Sequence, residues 1–554
     1  MGLNFVYAKS LNRLRSTNSK AFILIFLITF SIFVFTSDAH RYTFDEALAQ
    51  DQAIRIATLE PHPDYVQGES RIFFEYTWLY PPAANKRAIC ENAILCSQAS
   101  VIHSGSEAPF LAINENFHII TNETIDFTPI EFNNPAYALW RNSLEPNFTF
   151  MELLYGPFFC ALSTAVLFLV SRTYLYSIKT SLILSFLFAF TTIVWAYSQT
   201  SLNSVLATFL ILLAFLFFRR FQIHFSSKSI LISSIILGLA FLTRLDAILI
   251  IIPLFFYFLY VNVFPGRYFD FLRNGKKITN FLCFTIPLFS AYGISKLIEI
   301  IRLGSAESVA TSMINAARLN TSEQSVIPLF DLSNSYAVNA FGMLFSPGVG
   351  ILIFAPILLT AFLSFPDFFK RHKSQCLLFL IIIGFYIWWI SQSSAWHGLT
   401  AWGERYLVML IPFFLLPLGA SIEKRTHISF KISLVVLGGL GVLFNFAWLL
   451  QDVPYFIWGV MGAWQGGLYD IGESANLWID PLVLWTFEYS QLTHSFIWLF
   501  YRFQHDIFLL HAWGAGLYSI IISVVIAPQI FLLFRFIKNY SKTSKLVNEK
   551  RTIR

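Results

Sequence analysis

The sequence predicts an all-α polytopic membrane protein with about 12 transmembrane helices and long outer loops carrying short amphipathic helices. Three observations predict it. Of 554 residues, 56% are apolar and only 13% charged, against about 25% charge in a soluble chain, and mean hydropathy is +0.61. The apolar residues form long continuous runs without the alternation of a membrane β-barrel. The basic residues also recur between those runs in a periodic way. Together these exclude a soluble enzyme, a disordered chain and a fibrous one.

The apolar runs begin near Ala21, Glu152, Ser181, Val205, Ile230, Ala247, Ile278, Phe345, Cys376, Tyr406, Ile432 and Ala512. A hydrocarbon core of about 30 Å needs roughly 20 helical residues. The first run has a basic start, but no small-x-small cleavage site follows it, so a retained first span is expected. The stretch Ser229–Val263 is apolar except for Arg244 and Asp246. As one helix it would be about 52 Å long, so two spans folded at Arg244-Leu245-Asp246 are expected.

Lys and Arg concentrate in cytoplasmic loops. With the N-terminus placed inside, the inner segments hold Lys9 to Lys20, Arg172/Lys179, Arg219/Arg220/Lys228, Arg267 to Lys277, Lys370/Arg371/Lys373, Lys424/Arg425/Lys431 and seven basic residues from Arg535 onward. That is 26 of 38 basic residues, with only four of 32 acidic ones: Asp270, Asp367, Glu423 and Glu549. The positive net charge of +6 therefore reflects topology and gives no reason to expect nucleic acid. The expected organisation is a cytoplasmic basic tail over 1–20, a transmembrane domain over 21–536 and a second cytoplasmic basic tail over 537–554.

Within that domain the outer segments are long: 38–150, 299–344 and 451–511. Loops of this length are usually functional. All 14 Trp fall in them or at outer span ends, as headgroup anchors or as stacking platforms for a sugar or lipid. Cys90 and Cys96 lie in the first outer segment, where an oxidising exterior would let them pair and close a small loop; two buried thiols are the alternative. Asn122, Asn147 and Asn320 head outward-facing glycosylation sequons. No Cys, His or carboxylate spacing suggests a metal site, so no cofactor is called for. A divalent metal would be compatible with the reaction considered below but has no support in the residues.

The candidate chemistry gathers at the outer surface. After the first span comes SDAHRYTFDEALAQD, with Asp38, His40, Arg41, Asp45, Glu46 and Asp51. The fifth hairpin turns at TRLD, with Arg244 and Asp246, and the turn after the ninth span reads SAWHGLTAWGERYLVMLIP, with His397, Trp402, Glu404 and Arg405. A carboxylate at this depth can act as a general base toward a hydroxyl. An arginine can hold phosphate by a bidentate, permanently charged fork. More ordinary readings stay open: Asp38 as an acid at a span end, Arg244 and Asp246 as a hairpin ion pair, Arg405 as an interface anchor, and His40 and His397 as hydrogen-bonding bystanders.

The acidic stretch after the first span, GLAFLTRLDAILIIIP, LFSPGVGILIFAP and WHGLTAWGERYLVMLIPFFLLP together resemble the GT-C superfamily of membrane glycosyltransferases, such as the protein mannosyltransferases and the aminoarabinose transferases. The resemblance covers roughly residues 20–420. It implies a polyprenyl-phosphate-linked sugar donor and a glycan, lipid or protein acceptor on the outer or lumenal face, with membrane lipid as a further partner. It places the catalytic acid of the first outer loop on Asp38, with Asp45 and Glu46 as rivals, and the lipid-phosphate arginines on Arg244 and Arg405. His40, Asp246, His397, Trp402 and Glu404 would line the substrate. The soluble C-terminal domain of some members has no expected counterpart here. The rival class is a transporter or flippase for a lipid-linked saccharide, against which stand the scarcity of charge at mid-depth and the lack of a two-fold repeat.

The charge alternation predicts a labelling pattern. In a cysteine-free background, a membrane-impermeant thiol reagent applied to intact cells should modify Glu115→Cys and miss Lys545→Cys. The reverse pattern would place Asp38 on the wrong side for this chemistry.

Overall fold

A computed structural model describes residues 2–39, 44–59, 100–116, 149–263, 274–303, 336–393, 396–398, 401–424, 427–451, 484–501 and 505–552. Helix is the only regular secondary structure among them. In chain order the helices are α1 (Gly2–Phe35), α2 (Phe44–Thr58), α3 (Val101–Asn116), α4 (Thr149–Thr173), α5 (Ile178–Phe190), α6 (Val194–Tyr197), α7 (Asn203–His224), α8 (Ser227–Thr243), α9 (Ile248–Asn262), α10 (Gly275–Leu303), α11 (Tyr336–Phe345), α12 (Ile351–Phe354), α13 (Ile357–Phe362), α14 (Phe365–Arg371), α15 (Lys373–Ile390), α16 (Ile411–Leu415), α17 (Leu418–Lys424), α18 (Ile428–Leu449), α19 (Gln491–Tyr501) and α20 (Phe508–Thr552). Short 3₁₀ turns over Leu245–Ala247 and Arg405–Leu410 lead into α9 and α16.

The expectation of 12 continuous spans is corrected. Among the described residues, nine helices have the length and hydropathy to cross a membrane. The other three expected runs are shortened or broken, for local reasons. The third stops at Thr191 and Thr192, whose hydroxyls bond back to Leu187 O and Phe188 O at 2.6 Å, and only the four-residue α6 follows. The fifth ends as the 17-residue α8 at the extended Arg244. The eighth is cut at Ala355, whose non-helical backbone precedes Pro356; a following proline disfavours the helical region at that residue.

The turn at Arg244 is a reversal, as expected. Ser227 at the start of α8 and Asn262 at the end of α9 both hydrogen-bond Asn280, at 2.6 and 3.2 Å. The far ends of the two helices therefore meet at one level.

Polar contacts collect at the two ends of the bundle. One end is basic: Arg371 pairs with Glu423 at 3.3 Å and Lys424 with Asp367 at 2.8 Å. There too Arg219 lies 4.3 Å over the Tyr174 ring, and Arg172 donates to Asn18 and Tyr176 O. These residues come from the segments that the charge pattern grouped on one side. Between the ends, hydroxyls such as Thr29, Ser163, Thr164 and Thr208 return to carbonyls four residues back, which satisfies them where water is absent. The last span lies antiparallel along the first: Gln529 reaches Ser31, Tyr518 reaches Phe35 O, and Phe508 N–H reaches Ser37 O.

Two glycines of α18 differ in what surrounds them. A Cβ at Gly441 would overlap the Thr191 carbonyl, whereas Gly439 faces open space. Gly441→Ala should cost about 1–3 kcal/mol through overpacking. Gly439→Ala should be neutral, or stabilise by up to about 1 kcal/mol through helix propensity. Thermal unfolding of both variants in detergent compares them directly.

Candidate functional site

The end opposite the basic one is organised around the chain between α6 and α7. Ser198-Gln199-Thr200-Ser201 is fully buried and not helical along its length, so its backbone groups need partners from elsewhere. Ser201 N–H donates to Glu46 Oε1 at 2.9 Å. Its carbonyl lies 2.7 Å from His103 Nε2, and its hydroxyl donates to Glu152 Oε1 at 3.3 Å. Gln199 Nε2 donates to Thr36 O at 2.9 Å, and Trp195 Nε1 donates to Thr36 Oγ1 at 3.1 Å. Gln50 donates to Glu152 as well. Gly156 allows the approach of α4, because a Cβ there would overlap the Ser198 and Thr200 carbonyls.

Asp38 lies two residues beyond the Thr36 contacts and is 1% exposed. Its backbone is set by an unusual neighbour, Ala39, at φ +61°, with Ala39 N–H on Ser37 Oγ at 3.4 Å. Glu46 is also fully buried, one turn into α2. The structure thus brings Glu46 onto this polar segment directly, whereas Asp38 lies two residues beyond Thr36, which contacts the segment. Sequence reasoning missed Glu152, His103, Glu107 and Ser201, although Glu107, four residues after His103, lies 3.4 Å from its ring nitrogen. The signal available for Glu152 was a carboxylate opening an otherwise apolar run.

A second group of charges stands beside the first, at the start of α7. Arg244 Nε donates to both carboxylate oxygens of Asp246, at 2.7 and 2.8 Å, and Nη1 donates to Asn203 Oδ1 at 3.2 Å. Tyr386 OH donates to Asp246 Oδ2 at 2.7 Å. Burial is the largest single influence and works against the Arg244 charge, but the Asp246 charge and hydrogen bond together with Tyr386 and Tyr406 outweigh it, so the guanidinium holds its proton more tightly than usual. The Arg244 and Arg405 guanidiniums each lie 5.3 Å from the centroid of the Tyr406 ring. Two permanent cations, distant in sequence, therefore share one aromatic ring.

Glu404 caps this turn, Oε1 accepting Tyr406 N–H at 3.2 Å. It is fully buried, and burial pushes its carboxyl well above the usual range, against the opposing pull of the Tyr406 N–H and the Arg405 and Arg244 charges. Arg405 packs over Gly398, which adopts φ +51° and would clash with the Arg405 side chain if it carried a Cβ.

Trp402 is placed in the core. It is 2% exposed, stacked on Trp448 at 4.5 Å, edge-on to Phe354, and donates to Asn445 at 3.1 Å. His397 is buried against the Trp396 ring. Trp388 and Trp389 at the end of α15 are half exposed and are better placed as interface anchors. His40, Cys90, Cys96, the three outer sequons and the side chains of Asp45 and Asp51 lie outside the described residues. Among the described residues, no group of three or more His, Cys, Asp or Glu is arranged to hold a metal.

No protein-family profile matches the chain, and no curated protein matches it.

The Arg244–Asp246 pair is mostly buried, at 11% and 17% side-chain exposure. Removing one member of a buried pair typically costs about 3–5 kcal/mol. Arg244→Ala and Asp246→Ala should each destabilise by about that much, and the double variant by less than their sum. Unfolding midpoints of the four proteins in detergent complete the cycle.

Proposed function

We propose that this chain is an integral membrane glycosyltransferase of the GT-C type, transferring a sugar from a polyprenyl-phosphate donor to an acceptor at the end of the bundle that holds Asp38. The observation that carries the proposal is the pairing of Arg244 and Arg405 over Tyr406. Two buried or half-buried guanidiniums at one point suit a ligand with concentrated negative charge, and Arg matches phosphate geometry better than Lys. The resemblance of four sequence segments to that superfamily supports the same reading.

In the proposed reaction Asp38 accepts the proton of the acceptor hydroxyl as that oxygen attacks the anomeric carbon. The bond to the phosphate oxygen breaks on the opposite face, so configuration inverts. Arg244 and Arg405 stabilise the charge that grows on the departing phosphate. The outer segments position the acceptor.

The topology fits the same proposal. We read the three interrupted runs as crossings too, completing twelve. Each has contacts at both ends: Ser177 with Glu423 and Trp195 with Thr36 bracket the third, Asn280 and Asn203 bracket the fifth, and Leu484 and Lys424 bracket the eighth. The basic end is then cytoplasmic by the positive-inside rule, and both termini lie there.

Reconstitution with a polyprenyl-phosphate sugar tests the class. Release of free polyprenyl phosphate supports the enzyme; passage of intact donor across the bilayer supports a flippase instead. General-base catalysis typically contributes about 10²–10⁴-fold, so Asp38→Asn should lower turnover by about that factor while donor binding survives. Asp45→Asn and Glu46→Gln belong in the same series. Three folded variants turning over at the parent rate would end the proposal. Arg405→Lys should impair transfer, and Arg405→Ala should impair it more.

A further inference from the structure

The phosphate site described above contains a carboxyl that charge stabilisation alone does not use. Glu404 is fully buried beside Arg405, in the field of Arg244. Its Oε1 accepts the Tyr406 N–H, while Oε2 is buried with no hydrogen-bond partner among the described residues. The Tyr197 hydroxyl is likewise buried without a partner among them, and lies in the field of Arg405, Glu404 and Arg244. Two orphaned polar atoms beside two guanidiniums mark a place where a ligand oxygen completes the hydrogen bonding.

A charge count narrows what that ligand sees. Asp246 already neutralises Arg244 through both its oxygens. An ionised Glu404 would place a further negative charge beside Arg405, where the donor phosphodiester brings one of its own. A neutral Glu404 adds none. Loss of the sugar turns that diester into a monoester, which carries about −1.5 to −2 at neutral pH, so the departing group needs one more positive charge or one proton.

We propose that Glu404 is the proton donor to the leaving lipid phosphate, with Tyr197 as a second donor to the same group. This rests on the glycosyltransferase reading. As the bond between the anomeric carbon and the phosphate oxygen breaks, its electron pair stays on that oxygen. The phosphate takes the Oε2 proton, and Glu404 is left as a carboxylate that pairs with Arg405. The acceptor's proton goes separately to Asp38, and both carboxyls are reset by exchange with water as products leave. The groups that act on Glu404 are the Tyr406 N–H and Arg405 on its own turn, Arg244 from the α8–α9 turn and Tyr197 from α6; Asp246 and Tyr386 act on Arg244. Burial favours the neutral carboxyl this role requires.

The sign of the pH dependence follows. The carboxyl is neutral at lower pH and ionises as pH rises through its elevated pKa, so it then repels a bound phosphate. The experiment measures binding of polyprenyl phosphate to the full chain in detergent across about pH 6 to 9, for the native protein and Glu404→Gln. Native affinity should fall with pH by about tenfold more than that of Glu404→Gln, and the comparison cancels the probe's own ionisation near pH 6. Transfer by Glu404→Gln should drop about 10²-fold. Calorimetry in buffers of different ionisation enthalpy checks the native protein without a variant, so the test survives if Glu404→Gln fails to fold. Proton uptake should accompany phosphate binding above about pH 8, where the probe is already a dianion. Parallel pH profiles for the two proteins, or no proton uptake by the native one, would overturn the inference alone. No binding of polyprenyl phosphate by the native protein would overturn the donor reading beneath it.

Discussion

The end of the bundle that carries the candidate site depends on one constraint: the third apolar run stops being helical before it ends. An interrupted backbone among membrane helices is tolerated only where protein satisfies its free groups. Here Ser201 alone takes Glu46 on its N–H, His103 on its carbonyl and Glu152 on its hydroxyl, and Gln199 anchors the end of α1 through Thr36 O. Four residues thereby tie α1, α2, α3 and α4 to one point. Polar side chains that would be costly in hydrocarbon become the partners the broken backbone needs.

The same break sets the second group of charges. With the chain released from helix after Tyr197, α7 restarts at Asn203, and Asn203 holds Arg244. Arg244 in turn shares the Tyr406 ring with Arg405. The turn that reverses α8 into α9 and the turn that opens α16 are therefore fixed against each other through the interruption of a third segment. A buried charged cluster holds its geometry only if each member has a partner, and Asp246, Asn203 and Tyr406 fill that role for Arg244, while Tyr386 donates to Asp246.

Much of this was legible in the sequence, and the exceptions have physical causes. The membrane class follows from composition, and the grouping of Arg172, Arg219, Arg371 and Lys424 at one end follows from charge periodicity, because both signals are summed over many residues. The reversal at Arg244-Leu245-Asp246 is legible because the apolar run around it would make a single helix of about 52 Å, too long for one span. The number of continuous helices was not, since Thr191-Thr192 and Ala355-Pro356 leave hydropathy high while cutting the helix. The sequence marks Glu152 only as the start of a run, yet it is part of the buried network. Trp402, expected to line the substrate, packs as core against Trp448 and Phe354. A tryptophan near an interface looks the same in sequence whether it faces lipid, ligand or core.

Hydrogen bonding also separates two rivals for the proposed base. Glu46 accepts the Ser201 N–H at 2.9 Å, within the turn on which the rest of this end is built. A general base becomes protonated at every turnover, and a protonated Glu46 would weaken the bond that holds Ser201. Asp38 is placed by its neighbours' backbone instead: Phe35 O, Thr36 O and Ser37 O each accept a hydrogen bond from another element. Its charge can change without unmaking those contacts. On the proposed reaction the backbone contacts beside Asp38 do not depend on its charge, whereas the Ser201 contact of Glu46 does.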